Sequence, residues 1–155
     1  MTVLFQQREA ALVKKALSYL SRREHHRAEL KSKLSRSKTN NEAIVEAVLD
    51  HLEDEGLLSD MRYIESFITS RGNKLYGPMR IRMELLQKKL NPESIEQMLA
   101  EADTDWQHNA RTCLQKKFPQ KPGNAQELAK QRRFLWQRGY SEEMIRSALS
   151  LSDDE

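Results

Sequence analysis

A chain of 155 residues with a net charge of +3, 38% hydrophobic residues and 32% charged residues can fold, but it favours thin layers over one thick core. Five scattered glycines exclude a Gly-rich phosphate-binding loop. Cys113 is the only cysteine, which excludes an intramolecular disulfide, and no apolar run approaches the roughly 20 residues that span a bilayer.

The first predicted helix carries an apolar stripe with helical spacing, formed by Leu12, Val13, Ala16, Leu17 and Leu20. Before it, the opening residues MTVLFQQREA have neither a basic start nor a long apolar core, so no secretory signal is predicted. Together with the single cysteine, this predicts a cytoplasmic protein in a reducing compartment, without a membrane segment. Further helices are predicted over residues 27–35 and 41–55.

The pattern of the first 59 residues recurs twice along the chain. A shift of 51 residues places Leu30 on Ile81, and a shift of 50 residues places Leu85 on Leu135. The recurrence predicts three units, over residues 8–59, 60–109 and 110–155, each with three helices. The second and third helices of the later units are predicted over 78–89, 92–102, 125–138 and 142–151, and Gly77-Pro78 and Asn91-Pro92 mark two of their starts.

Short helices of this kind are marginal alone and must bury their stripes against neighbours. The sequence therefore predicts an all-α fold, in which three tandem three-helix repeats stack into an elongated, curved, solenoid-like array. We expect such a chain to be a monomer.

Charge is distributed unevenly along the repeats. Residues 41–60 carry seven acids and no Lys or Arg, whereas residues 71–90 carry six bases against Glu84. Such a surface either binds phosphates or an acidic protein, or serves only solubility. On the first interpretation, the candidate partner-binding or DNA-binding residues are Arg71, Lys74, Arg80, Lys88, Lys130, Arg132, Arg133 and Arg138.

Residue types that carry catalysis or bind metals do not form a site. His25 and His26 are adjacent and would point in different directions on a helix, and the pair Asp103 and Asp105 favours a loop or helix-end role. Cys113 occupies an apolar repeat position and is interpreted as a small buried hydrophobe. We therefore predict no enzyme, no metal and no cofactor.

The two tryptophans, Trp106 and Trp136, are interpreted as core or inter-repeat packing rather than as platforms that stack nucleic-acid bases.

One basic and one acidic position recur in all three units. Lys31, Arg82 and Arg132 are equivalent under the two shifts, as are Glu42, Glu93 and Glu143. The glutamates suit the first turn of a helix, where the dipole favours negative charge. The bases either pair with these glutamates or form a row of contacts to a partner. We favour the structural role for Arg82, whose aliphatic part would pack while its guanidinium group stays in solvent. For Arg132 we favour the contact role.

Four ordered segments resemble signatures of the RecX family and cover nearly the whole chain. They are YLSRREHHRAELKSKL at 19–34, LEDEGLLSD at 52–60, DMRYIESFITSR followed by GPMRIRMELLQKKL between 60 and 90, and RRFLWQRGYSEEMI at 132–145. Lys89 and Leu90 depart from the residues common in that family, which affects the resemblance little.

The resemblance implies tandem three-helix repeats and a non-enzymatic regulator. RecX-like proteins bind the RecA recombinase filament in its groove and restrain its growth, ATP hydrolysis, strand exchange and stimulation of repressor cleavage. The alternative is a basic helical protein that acts on DNA directly. Against it, Glu84 lies in the middle of the basic second helix, although weak, salt-sensitive DNA contact is compatible with the charge pattern.

Overall fold

A computed structural model describes residues 2–36 and 41–150, with side chains from residue 6 onward. Within these ranges the chain forms nine α-helices and no strand, as the all-α prediction required. They are α1 (Thr2–Leu20), α2 (Arg27–Leu34), α3 (Glu42–Asp54), α4 (Asp60–Asn73), α5 (Pro78–Gln87), α6 (Pro92–Glu101), α7 (Trp106–Lys117), α8 (Ala125–Arg138) and α9 (Glu142–Ser150). The predicted end at residue 151 lies outside the described residues.

Asparagine side chains fix where several helices begin. The Asn41 side chain accepts a hydrogen bond from the Ile44 amide at 2.8 Å, and the Asn91 side chain accepts one from Glu93 at 2.8 Å. The Asn124 side chain likewise accepts a hydrogen bond from the Glu127 amide. Each bond satisfies an amide that the helix itself leaves without a partner.

Residues 1–63 form the first of two compact units. Leu12 and Ala16 of α1 and Leu30 and Leu34 of α2 are buried in one core with the inward side chains of α3. Arg27, at the start of α2, bridges to the outer side of α3 through the carboxylates of Glu46, Asp50 and Glu53. Part of the acidity of residues 41–60 is therefore compensated within the unit.

The two adjacent histidines lie just before α2, whose predicted start at residue 27 is confirmed. His26 is the N-cap residue of α2, and both His25 and His26 are buried. The His26 ring meets that of Tyr63 edge-on, with centroids 4.8 Å apart. Among the described residues, no group of three or more His, Cys, Asp or Glu side chains is arranged to hold a metal ion.

Residues 64–155 form the second compact unit, in which the start of α5 meets the end of α8. The Gly77 amide donates to the Arg138 carbonyl at 2.8 Å, and the Met79 amide donates to the Gly139 carbonyl at 2.9 Å. Tyr140 is fully buried beside this junction, and its hydroxyl donates to the Leu75 carbonyl at 2.8 Å. Burial raises the pKa of Tyr140, so the hydroxyl stays protonated and remains a donor.

Gly139 and Lys89 follow α8 and α5 at equivalent repeat positions, and both adopt left-handed backbone, with φ of 102° and 62°. Glycine tolerates this conformation, whereas a residue with a Cβ loses about 1–2 kcal/mol there. The departure at Lys89 therefore has a structural cost that the sequence comparison did not reveal.

No helix in the part of the chain that the structure describes combines the length and the apolar character that crossing a bilayer requires.

Candidate functional site

Three of the predicted basic residues converge on the ring of Tyr76 in the second unit. The guanidinium carbons of Arg138, Arg80 and Arg71 lie 3.9, 4.5 and 5.7 Å from the ring centroid. Arg71 comes from the last turn of α4, Arg80 from the first turns of α5, and Arg138 ends α8. An aromatic face attracts such cations, so Tyr76 holds together three positive charges that would otherwise repel one another.

A second ring and a single acid extend this arrangement. The Arg71 guanidinium lies 5.0 Å from the Phe67 centroid, and the Lys88 ammonium lies 5.6 Å from it. Glu84 accepts a hydrogen bond from Nε of Arg80 at 3.1 Å, and its other carboxylate oxygen forms an ion pair with Nε of Arg71 at 3.2 Å. The acid thus orients two of the arginines and compensates only part of the local positive charge.

Lys74 completes the set, which we call the Tyr76 cluster: Arg71, Lys74, Arg80, Lys88 and Arg138. The Lys74 carbonyl accepts from Nη2 of Arg138 at 2.6 Å, while its side chain is exposed. Nη1 of Arg80 donates to the Gln137 carbonyl at 3.4 Å. Arg80 and Arg138 therefore also tie the second repeat to the third, whereas the side chains of Lys74 and Lys88 are not used in this way.

The other three predicted residues lie on earlier turns of α8 and are not gathered around Tyr76. The Lys130 ammonium lies 5.9 Å from the Phe118 centroid, and Arg133 is exposed. Nη2 of Arg132 lies 2.7 Å from a carboxylate oxygen of Glu142. The structure therefore brings three of the eight candidates together around Tyr76, with Lys88 near the Phe67 ring that Arg71 also contacts and Lys74 close to Arg71 in the chain.

The repeated basic position ties the second helix of each repeat to the third. Lys31 pairs with Glu46 at 2.7 Å and with Glu42 at 3.4 Å. Arg82 pairs with Glu96 through two hydrogen bonds. Together with the Arg132 pair, these contacts support the structural role at all three positions.

Two details of that interpretation differ in the structure. The partner of Arg82 is Glu96 rather than Glu93, and the partner of Arg132 is Glu142 rather than Glu143. Sequence equivalence identified the bases and the Glu42 partner of Lys31 but missed the acids paired with Arg82 and Arg132, because the packing of the two helices decides which side chain of the third helix comes within reach.

Replacing Arg82 or Arg132 with Met tests this structural role. The two side chains are 36% and 40% exposed, so each substitution should lower the free energy of unfolding by less than about 1 kcal/mol. Arg133→Met, on the exposed side of α8, is the matched control and should leave stability unchanged. Urea denaturation measures all three variants. Arg132→Met as stable as Arg133→Met would show that the ion pair with Glu142 contributes nothing.

One tryptophan does not pack as the sequence suggested. Trp136 is 54% exposed, so the prediction that it lies in a core or between repeats is wrong. A Cβ added to Gly72 would lie 3.7 Å from the ring of Trp106, which places that ring against α4 as expected for packing.

The remaining sequence interpretations concern Cys113 and Asp105. Cys113 is buried, and burial raises the pKa of its thiol, which disfavours the nucleophilic thiolate. The Asp105 side chain caps α7 by accepting a hydrogen bond from the His108 amide at 3.0 Å, which is the helix-end role that the sequence favoured.

Comparison with known proteins identifies the family. Residues 59–99 match the model of the second three-helix domain of RecX, and residues 103–149 match that of the third. The regulatory protein RecX of Pseudomonas fluorescens is 48% identical over 141 residues, 90% of each chain, and that of Pseudomonas entomophila is 45% identical over 144 residues, 92% of each.

The fold has a solved counterpart. A crystal structure of RecX from Lactobacillus salivarius superposes with a TM-score of 0.84 at 23% identity, covering 97% of this chain and 99% of that one. Its likeness in fold extends beyond the two matched domains to nearly all of the chain. On the sequence identity over nine-tenths of its length and the two matched domains, the chain belongs to the RecX family of regulatory proteins.

Proposed function

We propose that this protein binds the RecA nucleoprotein filament and restrains its ATPase, strand exchange and stimulation of repressor cleavage, and so regulates DNA repair and recombination. It acts as a monomeric, cytoplasmic binding protein without a cofactor and without catalysis of its own. Membership of a family of regulatory proteins supports the proposal. The observation that carries it to particular residues is the Tyr76 cluster, in which arginines from three helices converge on one ring beside Glu84, with Lys74 and Lys88 just after two of these helices.

The cluster suits a charged, extended partner. Its arginines are held in place before binding by Tyr76 and Glu84, so little side-chain entropy is lost when a carboxylate or phosphate approaches. The ammonium groups of Lys74 and Lys88 add charge that steers an oppositely charged surface from a distance.

Direct action on DNA is the second candidate, favoured by the same positive charge. One feature weighs against it as the main activity. Glu84 faces the arginines from the middle of α5 and opposes a phosphate backbone, which is negative at every step, whereas a protein surface can place a base opposite Glu84.

A titration of RecA ATPase on single-stranded DNA separates the two candidates. Filament binding predicts that ATP hydrolysis falls at protein concentrations far below those that saturate the DNA. The control is a parallel titration of the same DNA without RecA, followed by fluorescence anisotropy, which gives the concentration that coats the lattice. Inhibition that appears only at this coating concentration would mean competition for DNA and would overturn the proposal.

A further inference from the structure

α8 carries one large apolar side chain that the fold leaves uncovered. Its buried side is formed by Gln131 and Leu135. Trp136 follows Leu135 directly, so it points about 100° away from that side chain, and it is 54% exposed. Solubility alone does not call for a tryptophan on a free helix face.

α5 also exposes apolar side chains on a face opposite its buried side. Ile81 and Leu85 are fully buried, while Met79, Met83 and Leu86 follow the spacing of four and three residues that aligns side chains on one face. These three are 39%, 53% and 43% exposed. The helix is thus apolar on two sides, and only one of them serves the core.

Trp136 and the exposed apolar side chains of α5 flank one junction. The Met79 amide lies 2.9 Å from the Gly139 carbonyl, three residues beyond Trp136 in the chain. Arg80 reaches from α5 to the Gln137 carbonyl, next to Trp136. We call the four exposed side chains the α5–α8 apolar surface: Met79, Met83, Leu86 and Trp136.

We propose that the α5–α8 apolar surface docks a protein surface that has an apolar centre and an acidic rim, with Trp136 as the central contact. The proposal rests on the proposed function and assigns this docking to the filament's protein component rather than to its DNA. Charge complementarity identifies the partner, because the Tyr76 cluster adjoins the same junction through Arg80 and Arg138. An apolar partner with an acidic rim satisfies both features at once.

A second copy of the chain does not fit this surface. In a symmetric dimer the same patch meets itself, so Arg80 and Arg138 of one copy would face those of the other. Such juxtaposition of like charges opposes association.

A single nucleic-acid strand fits less well than a protein. Binding a strand without sequence preference uses several aromatic side chains, on which successive bases stack. Trp136 is the one aromatic side chain of the α5–α8 apolar surface, and its companions are two methionines and a leucine. Flexible methionines are instead typical of surfaces that adapt to protein partners.

Trp136→Ala tests the proposal, with Leu57→Ala as the matched control. Leu57 is an apolar side chain of similar exposure, 45%, in the first unit. Binding to RecA filaments on single-stranded DNA is measured by cosedimentation at several salt concentrations. Trp136→Ala should weaken binding about tenfold or more, as for a central interface tryptophan, and Leu57→Ala should leave it within about twofold.

Salt dependence and stability show how the binding is lost. Loss of an apolar contact should leave the salt dependence of binding unchanged, because no charge is removed. Both variants should melt close to the unchanged protein, since each altered side chain is about half exposed and lies outside the buried core. Filament binding by Trp136→Ala within twofold of the unchanged protein would overturn the proposal.

Two further measurements exclude the other occupants. An equal loss of affinity for single-stranded DNA without RecA would make Trp136 a base-stacking residue. A dimer of the unchanged protein that Trp136→Ala dissociates, measured by sedimentation, would make the surface a self-association site. Either result overturns the proposal. If the unchanged protein does not bind the filament at all, the proposed function fails and this inference fails with it. Normal binding by the unchanged protein and by Trp136→Ala refutes the docking assignment alone.

Discussion

Replacing Gly77 with Ala is expected to lower the free energy of unfolding of the second unit by about 3 kcal/mol or more. A Cβ at this position would lie 2.6 Å from the Tyr140 amide nitrogen and closer still to the carbonyl group of Gly139. All of these atoms belong to the backbone, so no side chain can rotate away to make room. α5 and α8 would have to separate, which breaks the amide–carbonyl hydrogen bonds of Gly77 and Met79 across the junction.

The backbone conformation of Gly77 is not the cause of this effect. Its φ of −86° and ψ of 165° are accessible to any residue, and His26 has nearly the same angles at the N-cap of α2. The control is Gly123→Ala, where the added Cβ would meet only the flexible Glu127 side chain, at 3.3 Å. Thermal unfolding followed by circular dichroism should show a melting temperature lower by about 10 °C or more for Gly77→Ala. A value within about 2 °C of the Gly123→Ala variant would show that the junction does not stabilise the fold.

The helices were predictable because each is specified by local information. Apolar spacing identified Leu12 and Ala16 on the buried side of α1, and the pairs Gly77-Pro78 and Asn91-Pro92 marked two helix starts. The repetition strengthened this prediction, since the same pattern recurs at equivalent positions in each unit.

The junction was not predictable in this way. Gly77 and Gly139 are 62 residues apart in sequence (139 − 77), and each is sufficiently explained as an ordinary turn residue. Repetition reveals what equivalent positions share, but it carries no information on how one repeat packs against the next. The role of Tyr76 was missed for the same reason, because its ring contacts the three arginines only after their helices have packed together.

The exposure of Trp136 shows a further limit. A tryptophan in an amphipathic helix usually lies on the buried side, and the sequence interpretation followed that rule. The angular position of Trp136 relative to Leu135 was the available signal, since neighbouring residues on a helix differ by about 100°. With Leu135 fully buried, the ring of Trp136 is turned away from the core.

Reversing the charges of Lys74 and Lys88 is expected to weaken filament inhibition strongly. Arg80 is unsuited to such a test, because it contacts Glu84, Tyr76 and the Gln137 carbonyl, and its reversal would disturb the junction. Lys74 is exposed, and Lys88 makes only a long contact with Phe67, at 5.6 Å. The double variant Lys74→Glu/Lys88→Glu should therefore keep its unfolding free energy within about 1 kcal/mol.

The expected loss is on the order of tenfold in the concentration that half-inhibits RecA ATPase, because two attractive charges at the rim of the interface become repulsive. The same reversal should flatten the salt dependence of filament binding, which distinguishes it from Trp136→Ala, where only the affinity should change. Lys14→Glu/Lys15→Glu, on the exposed side of α1, is the control with the same change in net charge. If both double variants lose inhibition equally, net charge rather than the Tyr76 cluster governs binding. If neither loses it, the cluster lies outside the interface and its arginines serve only to join the second and third repeats.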